Sequence, residues 1–212
     1  MRRGLIQGVG VNDADYPYRK QEFVAGKWKI VWQCPVHSMW KDLLRRCHNK
    51  KYKTEKPCYK DVTCCEEWLL FSNFKRWVDS QGSLYDKDGR VKHLDKDLLN
   101  PNNKVYCPEN CVIISRKVNN FFIEGKSNST TGVRGVTFKE SINRYHVFCK
   151  DPFDRFSKYL GKVYTVEEGR ELYNSTKLRY FIDLKERGYL TEDLYTKLLP
   201  VWFGESGVFN YG

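Results

Sequence analysis

Between residues 91 and 122 the chain reads Val-Lys-His-Leu-Asp-Lys-Asp-Leu-Leu, a polar turn, and then Cys-Pro-Glu-Asn-Cys-Val-Ile-Ile-Ser-Arg-Lys-Val-Asn-Asn-Phe-Phe. Hard divalent cations prefer carboxylate and carbonyl oxygens, and this stretch offers two such donors, Asp95 and Asn119. A Mg2+ (or Mn2+) ion held between them would stabilise the charge that grows as a phosphodiester is hydrolysed.

Positioning these donors requires a strand for Asp95, a second strand, and a helix for Asn119. Residues 91–95 have strand character, and Asn100-Pro101-Asn102-Asn103 breaks the chain. Val112-Ile113-Ile114 forms a short buried strand, and Ser115 is placed to cap a helix over residues 116–123.

Charge narrows the partner. Lys and Arg number 37 against 26 Asp and Glu, a formal charge of +11 and a pI near 9.2, which points to a polyanion. No run approaches the roughly 20 apolar residues of a membrane span, so nucleic acid is favoured over a membrane. Hydrophobic residues at 41% and aromatics at 15% supply packed cores for one or two small domains in 212 residues. Residues 4–10 are too short and polar for a signal-peptide core. A reducing cytosol is therefore expected, with the eight cysteines as free thiols or metal ligands.

Residues 1–33 read as a loosely structured arm with a short strand at 27–32. Ser38 is placed to cap a helix over 39–47, and residues 48–61 form a lysine-rich loop. Thr63 and Glu66 have capping-box spacing ahead of Trp68, Phe71, Phe74 and Trp77 at helical intervals. Residues 124–131 look like a flexible linker. Beyond it come strands at 133–138, 145–150 and 159–164. A second capping box, Thr165 to Glu168, opens a helix to about Arg179, and a further helix at 191–199 is stopped by Pro200. Trp202, Phe203, Phe209 and Tyr211 are too apolar for a free tail and are expected to dock on the protein or a partner subunit.

The run Asn110-Cys111-Val112-Ile113-Ile114-Ser115-Arg116-Lys117-Val118-Asn119 resembles the second strand and helix of the HNH nuclease family, particularly its phage homing-endonuclease branch. The resemblance implies a ββα-metal core, metal-dependent cleavage of double-stranded DNA, and the cytoplasm of a host bacterium. It places Asn119 and Asp95 as metal ligands and Asn110 as the residue that pins the loop between the strands. Arg116 and Lys117 are implied phosphate contacts. Where the family carries Asp-His this chain has Asp95-Lys96, and Lys is a poor base at neutral pH. The proton acceptor is His93 on the same strand face, Lys96 in a modified role, or another group including water. Residues 34–77, with Trp-x-x-Leu-Leu-x-Arg-Cys and Glu-Trp-x-x-Phe-x-x-Phe-x-x-Trp, are similar to the segment preceding the nuclease core in T7-like phage members.

Gly132-Val-Arg-Gly-Val-Thr-Phe-Lys, Arg144-Tyr-His-Val-Phe and Lys158-Tyr-Leu-Gly-Lys-Val-Tyr-Thr-Val-Glu-Glu are similar to the plant ethylene-response-factor type of DNA-binding domain. Such domains lay a three-stranded sheet in the major groove, implying Arg134, Lys139, Arg144, His146 and Lys150 as contacts. Alternation places Arg144, His146 and Phe148 on one face. Gly169 stands where the packed helix of that family usually has Ala.

The expected fold is therefore α+β, with an arm (1–33), a nuclease domain (34–123), the linker (124–131), a DNA-binding domain (132–180) and a helical, aromatic tail (181–212). The C-x3-C pair Cys107 and Cys111 admits a structural Zn2+, but irregular spacing elsewhere favours buried thiols. Monomer and homodimer are both compatible. The rival function is a DNA-binding or regulatory protein whose HNH core has lost catalysis, with RNA binding or processing as a third reading.

Overall fold

The computed structural model describes residues 4–122 and 131–204. The expected linker lies outside these residues but for Thr131, as do Phe209 and Tyr211. The fold is α+β, with helices and small sheets. The chain forms two compact units, Met1–Ile113 and Ile114–Gly212.

The first unit opens with an antiparallel hairpin, β1 (Arg19–Val24) and β2 (Lys27–Gln33). The arm is thus more ordered than its sequence suggests, because 19–24 supplies the partner that the expected strand lacked. Helix α1 (Pro35–His48) starts ahead of Ser38, which instead sits in its first turn and donates to the Cys34 carbonyl at 3.2 Å. The lysine-rich segment contains a short helix, α2 (Lys50–Glu55), capped by Asn49, whose side chain accepts from the Tyr52 amide at 2.8 Å.

Thr63 and Glu66 form no capping box. Thr63 belongs to β3 (Thr63–Cys64), which pairs in parallel with β5 (Val105–Tyr106), and its amide donates to the Lys104 carbonyl. Tertiary pairing overrides the local signal, and helix α3 (Phe71–Ser80) begins later. Its buried face, with Phe71, Phe74 and Val78, packs with Trp40, Leu43, Leu44 and Trp68 of the unit's core. Trp40 Nε1 donates to the Trp68 carbonyl at 2.7 Å, so burying that indole leaves no polar atom unsatisfied. Two further strands, β4 (His93–Asp95) and β6 (Val112–Ile114), pair with each other. Leu94 of β4 enters the same core.

In the second unit, Ser115 Oγ accepts from the Val118 amide at 3.1 Å and starts α4 (Arg116–Phe122). The unit continues with the antiparallel sheet β7 (Val136–Lys139), β8 (Arg144–Lys150) and β9 (Ser157–Val163), then α5 (Val166–Glu186) and α6 (Glu192–Phe203). The Thr165–Glu168 capping box forms with both of its bonds. Helix α5 outruns its expected end because Tyr180, Phe181 and Leu184 continue its buried face. Gly169 fits this packing, since a Cβ there would lie 2.9 Å from Val136 Cγ1. Gly135, at φ +72°, leaves 2.2 Å between such a Cβ and the Phe148 carbonyl.

Pro200 lies inside α6 rather than ending it. An interior proline costs about 3 kcal/mol, and burial of Trp202 and Phe203 in the turn that follows offsets it. Phe121 and Phe122 of α4 meet Phe181, and Phe122 meets Trp202 at a ring distance of 4.8 Å. The unit boundary consequently falls before α4, upstream of the expected linker, and residues 181–204 of the expected tail contribute to the second core.

Candidate functional site

Asp95 ends β4 with its Oδ1 accepting from the backbone amides of Asp97 and Leu98, each at 2.8 Å. Burial lifts its carboxyl above the ordinary aspartate value, and these two amide bonds only partly counter that rise. Among the described residues its Oδ2 has no hydrogen-bond partner. The neighbouring cation compensates it least, its Nζ being engaged elsewhere: Lys96 pairs with Asp97 and donates to the Asn103 carbonyl at 2.6 Å. Lys96 is 6% exposed, with its ammonium 5.9 Å from the Tyr106 ring centroid.

The loop joining β4 to β6 is fastened from within. Asn103 Nδ2 donates to the carbonyls of Lys96 (2.9 Å) and Val105 (2.8 Å), and Asn110 Nδ2 reaches Asn103 Oδ1 at 3.3 Å. His93 is exposed on β4 and, by strand alternation, shares a face with Asp95 while Leu94 points into the core.

Asn119 is half-buried on α4, in the second unit, and its amide closes the first helical turn on Ser115. Arg116 is exposed on the same helix. Lys117 is engaged: its Nζ donates to the Tyr189 hydroxyl at 2.8 Å and lies 4.3 Å from that ring's centroid and 5.1 Å from that of Phe153. Lys117 thus ties α4 to its own unit.

Among the described residues no group of three or more His, Cys, Asp or Glu side chains is arranged to hold a metal ion. A single carboxylate such as Asp95 is a smaller donor set, and Mg2+ is often bound by one or two carboxylates while waters and substrate phosphates complete its shell. All eight cysteines are free of disulfides. Cys111 is buried, and burial pushes its thiol well up, whereas Cys64 is drawn down to about 6 by a hydrogen bond from Cys47 and then by His48, 3.5 Å away.

The β7–β9 sheet turns Val136, Val147 and Cys149 into the core and presents an opposite face to solvent. Register puts Lys139 opposite Arg144, and Thr137, His146 and Lys162 side by side. His146, Phe148 and Tyr159 cluster on that face, with Tyr159 5.2 Å from His146 and 5.3 Å from Phe148. The Arg144 guanidinium stacks 3.8 Å from the Tyr164 ring centroid. Lys150 is committed to the β8–β9 turn, where its Nζ donates to the carbonyls of Asp154 and Arg155. Arg134 is half-buried in the turn before β7.

Lys162 and Tyr159 escape sequence reasoning. Their face depends on a register shift between Val147 and Phe148, which alternation along one strand does not reveal. Comparison with protein-family models, with curated proteins and with solved structures finds no match for the chain. Among the described residues no helix is long and apolar enough to cross a membrane.

Proposed function

We propose that the chain is a metal-dependent DNA endonuclease of the HNH type, with β4, β6 and α4 as a ββα-metal core and the β7–β9 sheet as its DNA-reading surface. The observation that carries the reading is Asp95, a carboxylate whose burial disfavours its charge, with one oxygen locked by backbone amides and the other open. A divalent cation would supply the missing compensation. Asp95 would hold it, with Asn119 the second ligand that the sequence resemblance implies, and the ion would stabilise charge on the scissile phosphate and the departing 3′ oxygen.

His93 is the proton acceptor in this reading, taking a proton from the attacking water. Lys96 is set aside because its ammonium already donates to Asp97 and Asn103. The sheet supports a polyanionic partner: cations placed directly across strands repel, and a phosphate backbone relieves the repulsion between Lys139 and Arg144.

The test is cleavage of supercoiled plasmid with Mg2+. Asp95→Ala and Asn119→Ala should each lose about 100-fold or more in rate while binding duplex DNA as the wild type does in EDTA. Wild-type rates in both variants refute the assignment. A second reading, a DNA-binding protein without cleavage, is favoured by Lys96 standing where the family has its His base, and it predicts binding with no Mg2+-dependent break.

A further inference from the structure

The hairpin of β1 and β2 lies outside the chemistry above, yet its side chains are exposed along nearly its whole length. Register sorts them onto two faces. Phe23 pairs with Trp28 and Gln21 with Ile30 on one; Glu22 with Lys29 and Val24 with Lys27 lie on the other, and Lys20 sits beyond a register shift, opposite Trp32. Phe23, Trp28 and Ile30 are 62%, 68% and 51% exposed, and the Phe23 and Trp28 rings meet edge to face at 5.5 Å. That pair sits one step from the tip, where Ala25 and Gly26 both take positive φ (51° and 76°) and close a two-residue turn. The base is anchored by the Cys34 amide to the Tyr18 carbonyl at 2.8 Å and by Gln33 Nε2 to Ser38 Oγ at 2.8 Å.

A two-stranded ribbon with no backing layer is marginal in water, and six large apolar side chains at its surface, Val24, Val31 and Trp32 as well as Phe23, Trp28 and Ile30, require a partner. Charge selects which. The ribbon carries Arg19, Lys20, Lys27 and Lys29 against the single acid Glu22, within a chain of net charge +11. A second copy would set like charges against each other, whereas a duplex complements them. A ribbon of two strands is also the width that the major groove admits, and apolar side chains, Phe among them, make contact there with the thymine methyl group.

We infer that the Arg19–Gln33 hairpin is a DNA-binding arm, with Phe23 and Trp28 meeting the base edges and Lys27 and Lys29 reaching the flanking phosphates. The inference rests on duplex DNA as the partner and is independent of cleavage.

The test uses the full chain in EDTA, so that no cleavage intervenes, and measures fluorescence anisotropy of a labelled duplex over a range of salt. Phe23→Ala/Trp28→Ala should weaken binding by about tenfold or more. Lys27→Gln/Lys29→Gln should lower the slope of log affinity against log salt by about two. Both pairs are exposed, so helicity and melting should match the wild type; if the alanine variant fails to fold, the glutamine variant carries the test. Wild-type affinity and slope in the folded variants overturn the arm while leaving the endonuclease reading intact. Two other results also overturn it: loss of self-association, or of anionic-vesicle binding, with DNA affinity unchanged. A wild type that binds no duplex overturns both proposals.

Discussion

Around Asp95 and across the β7–β9 sheet the chain places similar cations in opposite circumstances. Lys96 is buried and spent on Asp97 and the Asn103 carbonyl, so it offsets the burial of the carboxylate beside it only weakly. On the sheet, Lys139 faces Arg144 and Lys162 faces His146. A lysine's role is set by what its ammonium meets. Lys96, Lys117 and Lys150 read in the sequence as candidates for chemistry or contact, and all three fasten the fold. On the proposed reading the first region takes up a cation and the second an anion.

The contrast breaks most readily on the sheet. Arg144→Ala/Lys162→Ala should weaken duplex binding by roughly tenfold to a hundredfold at moderate salt and lower the salt slope by about two, with little effect on melting. An unchanged slope, measured by anisotropy, would return these cations to the category of solvated surface. Lys96→Met tests the other side with a smaller effect. It leaves the half-buried Asn103 carbonyl short of a donor and should destabilise the protein by about 1–3 kcal/mol in urea unfolding. The pH profile of cleavage should stay where it was, whereas a shifted profile would restore Lys96 as the base.

Much of this architecture is legible in the sequence where the signal is local. The Ser115 cap and the Thr165–Glu168 capping box each occupy a few residues and form as read. Signals that compete with distant partners are not legible. Thr63 gives up its cap to pair with Val105, and Pro200 stays helical because the residues after it are buried. The site divides likewise: Asp95 and the Arg144–His146 face follow from spacing, while the capture of Lys96 and the placement of Lys162 depend on loop closure and on a strand bulge.

Asp95 decides the account. Its raised carboxyl means that the ionised form is penalised in the folded protein: below the unfolded value both states are protonated and nothing is lost, and stability falls as pH rises toward the folded value. Metal binding needs the ionised form and so runs the other way. The most direct measurement is Mn2+ binding followed by electron paramagnetic resonance across a pH series, for the wild type and Asp95→Asn. The wild type should bind with an affinity that drops as pH falls through the raised Asp95 value, and Asp95→Asn should lose that binding while melting no lower in the metal-free state. Mn2+ binding of equal strength and equal pH dependence in both proteins would contradict the assignment of Asp95 as a metal ligand.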